Sequence, residues 1–535
     1  MKAIMTTLVF VTLGVGLACD DAPSPEPPAP NLEEASGDLV TLLPERVLVA
    51  VELRDLDGRW DELRAVPPLA RLQDRMLDEI GLDARDVPKI AGPFAVLALV
   101  PDEAWREIVP VAVLNPPSPA SALARLGRTD ALTAVQARGA VWIGPASHAR
   151  LVERIAAGDG TSFRQAVDFA ALAERLPEGG LARAALHPAA LREYLRVRAQ
   201  MARSSPVRAL AALLRSDLEA IEIAGFRRDI TGGEFVTDAW VGFDAGVLPE
   251  AVTRALATAR GPAVLPSDLA ADVLLASSFR TEPEAGLAWL RSIAARDPSG
   301  PLRNLDFWIE EFEARTGRSV ETDIVGALGE RGLTLVLEGA DGRGLEIVAI
   351  LDASDPERLE AALVDLRDWL GEEIWGRSLG LTIPKPRRTD AERGAVHGLD
   401  FWSPFGTFRG PVFQVADGRL IVATGRGGLA RGVEFARTAQ SWVTPAWALE
   451  DDGPADEIVY LRTRELARVL GEVFDDGSSL FGAILEFLYG TGEGRLRLRY
   501  EERGLRLSGV LQISANLRIE AHAPDRTQLP TAGAP

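Results

Sequence analysis

The chain has 535 residues, 47% hydrophobic and 25% charged, the balance of a globular protein rather than a disordered one. Its formal net charge of −20 sets it against nucleic acid and anionic lipid headgroups as main partners, because both repel an acidic surface. The single cysteine, Cys19, excludes an intrachain disulfide and a Cys-based metal centre, and His148, His187, His397 and His522 show no metal-ligand spacing, so no metal or cofactor is expected.

The N-terminus opens with Lys2 and the apolar run AIMTTLVFVTLGVGLA, which ends on small residues before Cys19. Residues 1–18 read as a secretion signal, too short for a comfortable membrane-spanning helix of about 20 residues. The junction resembles the lipobox of bacterial lipoproteins, although Gly16 stands where that family prefers Leu. The resemblance implies a lipidated Cys19 as the first mature residue, a membrane partner through that anchor, and an address in the bacterial cell envelope facing the periplasm or cell surface. The alternative is ordinary cleavage that leaves a free thiol. Residues 19–40, rich in Pro and acid, form a tether that cannot build a core; about 20 residues at about 3.1 Å each reach at most about 60 Å.

From there two halves run in parallel, residues 41–258 and 259–520. Each opens with Leu-Pro and a strand, LLPERVLVAVELRD and VLPSDLAADVLLASSFR. An amphipathic helical region follows, then two strands: FAVLALV and IVPVAVLN are answered by LTLVLEG and EIVAILD. Short helices come next, PASALARL and PERLEAALVDL, with Asn115 and Asp352 placed to cap them and Pro119 and Pro356 in their first turns. Strand pairs turn near Gly139 and Gly418. Each half then carries helices, an ARAALHPAALREYL or EIVYLRTRELARVL segment, and a closing hairpin. Residues 521–535 read as a disordered tail.

This order predicts an α+β fold of two homologous domains. Each is expected to hold an antiparallel or mixed sheet with helices on one face, a ferredoxin-like β-α-β-β-α-β start and an added α-β-β module. A period of roughly 220 to 240 residues is too long for a solenoid. The Leu-Pro strand, the FQVADGRLIVATG strand pair and the YLRTREL segment resemble a family of uncharacterised bacterial envelope proteins. That family implies a duplicated α+β lipoprotein and brings no catalytic residues.

Chemistry-bearing motifs are few. Gly425-x-Gly427-x-x-Ala430 sits between a strand and a helix, as a dinucleotide-binding turn does, but the matching WIGPASHARL keeps only Gly144. The ordinary reading is a tight strand-to-helix turn. Acid clusters at 449–457 and 474–479 lack the Asp-x-Asp-x-Asp-Gly spacing of a calcium loop and read as solvated loops. No catalytic residue is assigned.

The halves differ most after the short helix. About nine residues separate Leu126 from Val135, and about fifty separate Leu366 from Val415. The insertion, about 370–410, holds Trp375, Arg387, Arg388, His397, Phe401, Trp402, Phe405 and Phe408. Aromatic and Arg side chains together suit a binding surface; the alternative is a lid over the core or the seam between halves. The leading expectation is a non-catalytic envelope protein that binds a ligand or protein partner at that seam or insertion. A periplasmic hydrolase using carboxylates with His397, and a structural spacer, are the competing readings.

Overall fold

The computed structural model describes residues 39–56, 83–201, 218–371, 387–473 and 491–513, apart from short internal gaps, plus a few positions between them such as Trp60 and Arg64. The signal segment, Cys19, the tether through residue 38 and the tail lie outside the described residues.

The first half supplies eight strands: β1 Val49–Arg54, β2 Phe94–Pro101, β3 Ile108–Leu114, β4 Leu132–Ala137, β5 Ala140–Pro145, β6 Ala182–Leu186, β7 Ile221–Thr231 and β8 Glu234–Phe243. The second supplies ten: β9 Val273–Arg280, β10 Leu328–Glu338, β11 Leu345–Ala353, β12 Arg387–Ala391, β13 Gly394–Ser403, β14 Gly406–Ala416, β15 Arg419–Ala423, β16 Glu457–Arg462, β17 Thr491–Glu501 and β18 Gly504–Ile513. All pair antiparallel in one 18-stranded sheet. The first half runs β4-β5-β3-β2-β1-β6-β7-β8. It joins the second through β8 and β18, from Gly242 opposite Gly504 to Glu234 opposite Gln512. The second then runs β18-β17-β16-β9-β10-β11-β15-β14-β13-β12. Each half thus lays its strands down in the same order about the β8–β18 join, and β12 and β13 are extra.

The ferredoxin-like start is not what forms. That arrangement splits its β-α-β crossover, so the first strand does not touch the second. Here β1 pairs directly with β2, Val51 opposite Leu97, and with β6 on its other side, Val51 opposite Ala184. The long connection to β2 returns the chain antiparallel beside the strand it left.

The longer helices among the described residues are α1 Pro119–Leu126, α2 Ala149–Ala157, α3 Phe169–Arg175, α4 Pro188–Met201, α5 Glu250–Ala257, α6 Pro283–Arg296, α7 Leu305–Thr316, α8 Pro356–Trp369, α9 Arg426–Arg437 and α10 Thr463–Val473. They cover both faces of the sheet, not one. Successive strand residues point to opposite faces, and here both sets are apolar. Trp142 packs with Val152 and Ile155 of α2, while its neighbour Val141 packs with Ala122 and Leu126 of α1. In the second half Ile421 packs with Leu429 of α9, while Leu420 packs with Leu359 of α8. A third core crosses the join: Val51, Ala184 and Val241 share it with Leu505, Leu498 and Leu461, under Val252 of α5, Trp289 of α6 and Val469 of α10. The two halves therefore do not close as separate cores.

Two local expectations are refined. The β4–β5 and β14–β15 turns place Arg138–Gly139 and Asp417–Gly418 at positive φ in both residues, 52° and 78°, then 51° and 73°. Such two-residue turns match strand twist, and Gly takes the second position without a Cβ penalty. The cap of α8 is Asp355, whose side chain accepts from Arg358 N at 3.2 Å. Asp352 instead pairs with Arg331 and Arg419.

Candidate functional site

The insertion becomes sheet. Arg387 lies opposite Gly398 and Arg388 opposite His397 in the β12–β13 pair; Phe401 lies opposite Phe408 and Trp402 opposite Thr407 in β13–β14. Trp375 and Phe405 lie outside the described residues. The strand order puts this segment at the far edge of the second half, with β15, β11, β10, β9, β16 and β17 between it and β18. It neither plugs nor lines the join between the halves. That join is itself a continuous ladder rather than a groove.

His397 is tied on both ring nitrogens. It is 3% exposed and stacks on Phe413, with ring centroids 5.0 Å apart. Nδ1 is 2.9 Å from Arg367 Nη1, and Nε2 is 3.0 Å from Glu360 Oε1. A guanidinium only donates, so Nδ1 accepts and Nε2–H donates to Glu360. Arg367, 7% exposed, also donates to Asp368 at 2.7 Å. Both ring nitrogens are spent on tying β13 to α8. A carboxylate hydrolase at His397 calls for two acids on the ring; one nitrogen meets Glu360 and the other meets an arginine.

The glycine turn before α9 is filled from within. A Cβ at Gly425, Gly427 or Gly428 would stand 3.0 Å from a carboxylate oxygen of Glu346 on β11. A helix N-terminus favours an anion, and here the chain supplies its own. Among the acids flagged in sequence, Glu457 accepts from Ser277 at 3.1 Å and from the Tyr500 hydroxyl at 3.3 Å, and Asp456 accepts from Tyr500 N at 2.8 Å. Among the described residues no group of three or more His, Cys, Asp or Glu is arranged to hold a metal ion.

A concave feature of the described surface lies elsewhere, beside the start of β1. It is an open cavity of about 540 Å³, lined by Glu45, Arg46, Trp105, Arg154, His187 and Glu193 among others. Three chain segments build it. Glu45 and Arg46 lead into the buried strand start at Val47. Trp105 comes from the β2–β3 loop, where Asp102 accepts from Arg106 N at 2.6 Å and Glu107 N at 3.2 Å. Trp105 itself holds φ 58°, an uncommon value for a bulky residue. Arg154 projects from α2, and His187 and Glu193 come from the start of α4.

The polar groups are unevenly satisfied. His187 Nδ1 donates to Glu45 O at 2.7 Å. Glu193 is held by Arg196 at 2.8 and 2.5 Å, and this hydrogen bonding lowers its pKa. Arg154 pairs with Glu103 at 2.6 Å through Nη1, while its Nη2 is buried with no acceptor. Among the described residues the Arg46 guanidinium has no hydrogen bond or ion pair; burial and then the neighbouring Arg154 charge lower its pKa, against the more distant Glu103 and Asp102. None of these residues carried a motif. The available signals were a charged residue directly before a buried strand, in LPERV, and a tryptophan in the acidic loop PDEAWRE.

No protein-family model matches the chain, and no curated protein or solved structure matches it either.

Proposed function

We propose that the chain is a non-catalytic, lipid-anchored protein of the bacterial cell envelope, duplicated from one α+β unit and used for binding. The observation that carries the binding reading is the cavity at Arg46, a concave surface that brings two guanidinium groups, an imidazole and an indole together. Ligand sites combine an apolar wall with a few polar groups in this way. The duplication reading draws on the shared strand order about β8–β18, and the envelope reading on Cys19 and the tether. The resemblance to duplicated envelope lipoproteins belongs to the same proposal.

The site moves from the join and the insertion to this cavity, because the join is filled by paired strands. Among the described residues β12 is the outermost strand on this side, and its outer edge is a second surface for a protein partner, since an edge strand offers backbone groups for pairing.

The test expresses the full chain in a bacterial host with an azido-palmitate label. Label on the wild type, with Cys19→Ala unlabelled and recovered in the soluble fraction, is the expected result. An unlabelled wild type, or membrane retention of Cys19→Ala, removes the anchor. Ligand capture by purified protein that is insensitive to filling the cavity with Ala189→Trp, at an exposed residue of its lining, removes the cavity as the site.

A further inference from the structure

We infer that the Arg46–Arg154 cavity is a binding site for a small oxyanion, a carboxylate or a phosphate; the inference rests on the binding reading above and names its ligand chemistry.

The chain is acidic overall, and its arginines are mostly matched to acids: Arg227 to Asp229 and Asp238, Arg291 to Asp306 and Glu321, Arg431 to Asp272 and Glu434. Arg46 departs from this rule. It is half-buried, lines the cavity beside β1, and shares that cavity with another guanidinium. Desolvating a charge without a partner is costly, and a second like charge beside it adds to the cost. Each is relieved by an anion placed between them. A planar guanidinium prefers a carboxylate or phosphate, which it grips with two parallel N–H donors.

The other walls fit the same occupant. His187 uses Nδ1–H on Glu45 O, so Nε2 of the neutral ring is an acceptor suited to a ligand hydroxyl. Trp105 and Ile155 give the apolar side. Of the acids on the rim, Glu193 is occupied by Arg196 and Glu103 by Arg154; Glu45 is exposed. The net negative charge repels anions at long range, so recognition depends on contact with these donors.

The experiment is calorimetric titration of the full chain in detergent with L-malate and with inorganic phosphate, the two arms separating carboxylate from phosphate. One or both should saturate a single site. Arg46→Gln should weaken that binding at least about tenfold, about 1.4 kcal/mol, with Arg46→Lys intermediate because it keeps charge but loses the two-pronged grip. Arg154→Phe serves as the second variant if Arg46→Gln does not fold, and should weaken binding similarly. Silence from both anions in the folded wild type, or binding indifferent to both variants, overturns the inference. Uptake of neutral N-acetylglucosamine, blocked by Ala189→Trp and unaffected by Arg46→Gln, overturns the oxyanion assignment while leaving a binding cavity in place.

Discussion

His397 on β13 and Glu360 on α8 meet at 3.0 Å, and the same ring takes a hydrogen bond from Arg367 at 2.9 Å on its other nitrogen. This relationship fixes the edge of the sheet to the helix beneath it. The insertion that brings His397 follows α8 and has no counterpart in the short connection after α1.

His397→Ala should therefore destabilise the second half rather than abolish an activity. It leaves the buried Arg367 short of an acceptor, a loss of about 1–3 kcal/mol. Urea unfolding of wild type and variant measures it. An unchanged midpoint would show that the network does not hold the edge.

Asp323, before α8, accepts from Ser319 N at 2.7 Å and from Arg358. The backbone hydrogen bond and then Arg358 hold its carboxyl below the usual value of 3.8. An acid with a depressed folded pKa contributes stability that is present above its unfolded pKa and is lost as pH falls through the folded value. Asp323→Asn should lower stability at neutral pH and flatten the acid limb of the stability curve below about pH 4. Melting temperatures across pH 2 to 7, scanned in steps, compare the two chains. Parallel curves would remove Asp323 from acid unfolding.

Arg228 is 2% exposed, donates to Thr237 Oγ1 at 3.0 Å and lies over the Phe235 ring at 5.7 Å. Burial pushes its pKa down to about 10. The sign with pH is the same as for Asp323, because the folded chain again releases its proton at lower pH than the unfolded chain does, but here the charged form is the costly one. Stability therefore rises with pH above about 10 as the buried charge is relieved. Thr237→Val should cost about 1–3 kcal/mol by removing an acceptor from a buried charge, and Arg228→Met should cost less than Thr237→Val because the charge goes too. The reverse ranking in denaturant titrations would contradict the account.

Glu346 and Gly427 form a testable pair. Gly427→Ala sets a Cβ 3.0 Å from both carboxylate oxygens. The cost should shrink in a Glu346→Ala background, with a coupling of about 0.5–3 kcal/mol in a double-mutant cycle. Glu346→Ala alone should cost about 0.3–1 kcal/mol through the lost anion at the α9 N-terminus. Strict additivity would separate the glycines from the carboxylate.

Much of the fold was legible from periodicity and turn chemistry. The short β-branched run Ile347–Leu351 became strand throughout and Val47–Val51 did so from Val49 on, and Gly139 and Gly418 turned their hairpins, because these depend on neighbours in the chain. The face assignment failed at strands such as β5, where Val141 and Trp142 are both buried. A continuous apolar run does not say how many layers cover it. The insertion stood out by length, yet its role as two added edge strands depended on pairing with β14.

The sequence alone determined which segments pair locally, where they turn, and that two halves repeat the same order, since those follow from residue-level sterics and spacing. Only the tertiary structure decided that β8 and β18 merge both halves into one sheet, that His397 meets Glu360, and that Arg46 and Arg154 share a cavity. These contacts join residues far apart in the chain, and such closure is set by packing and by the pairing of buried charges, neither of which is written in any local pattern.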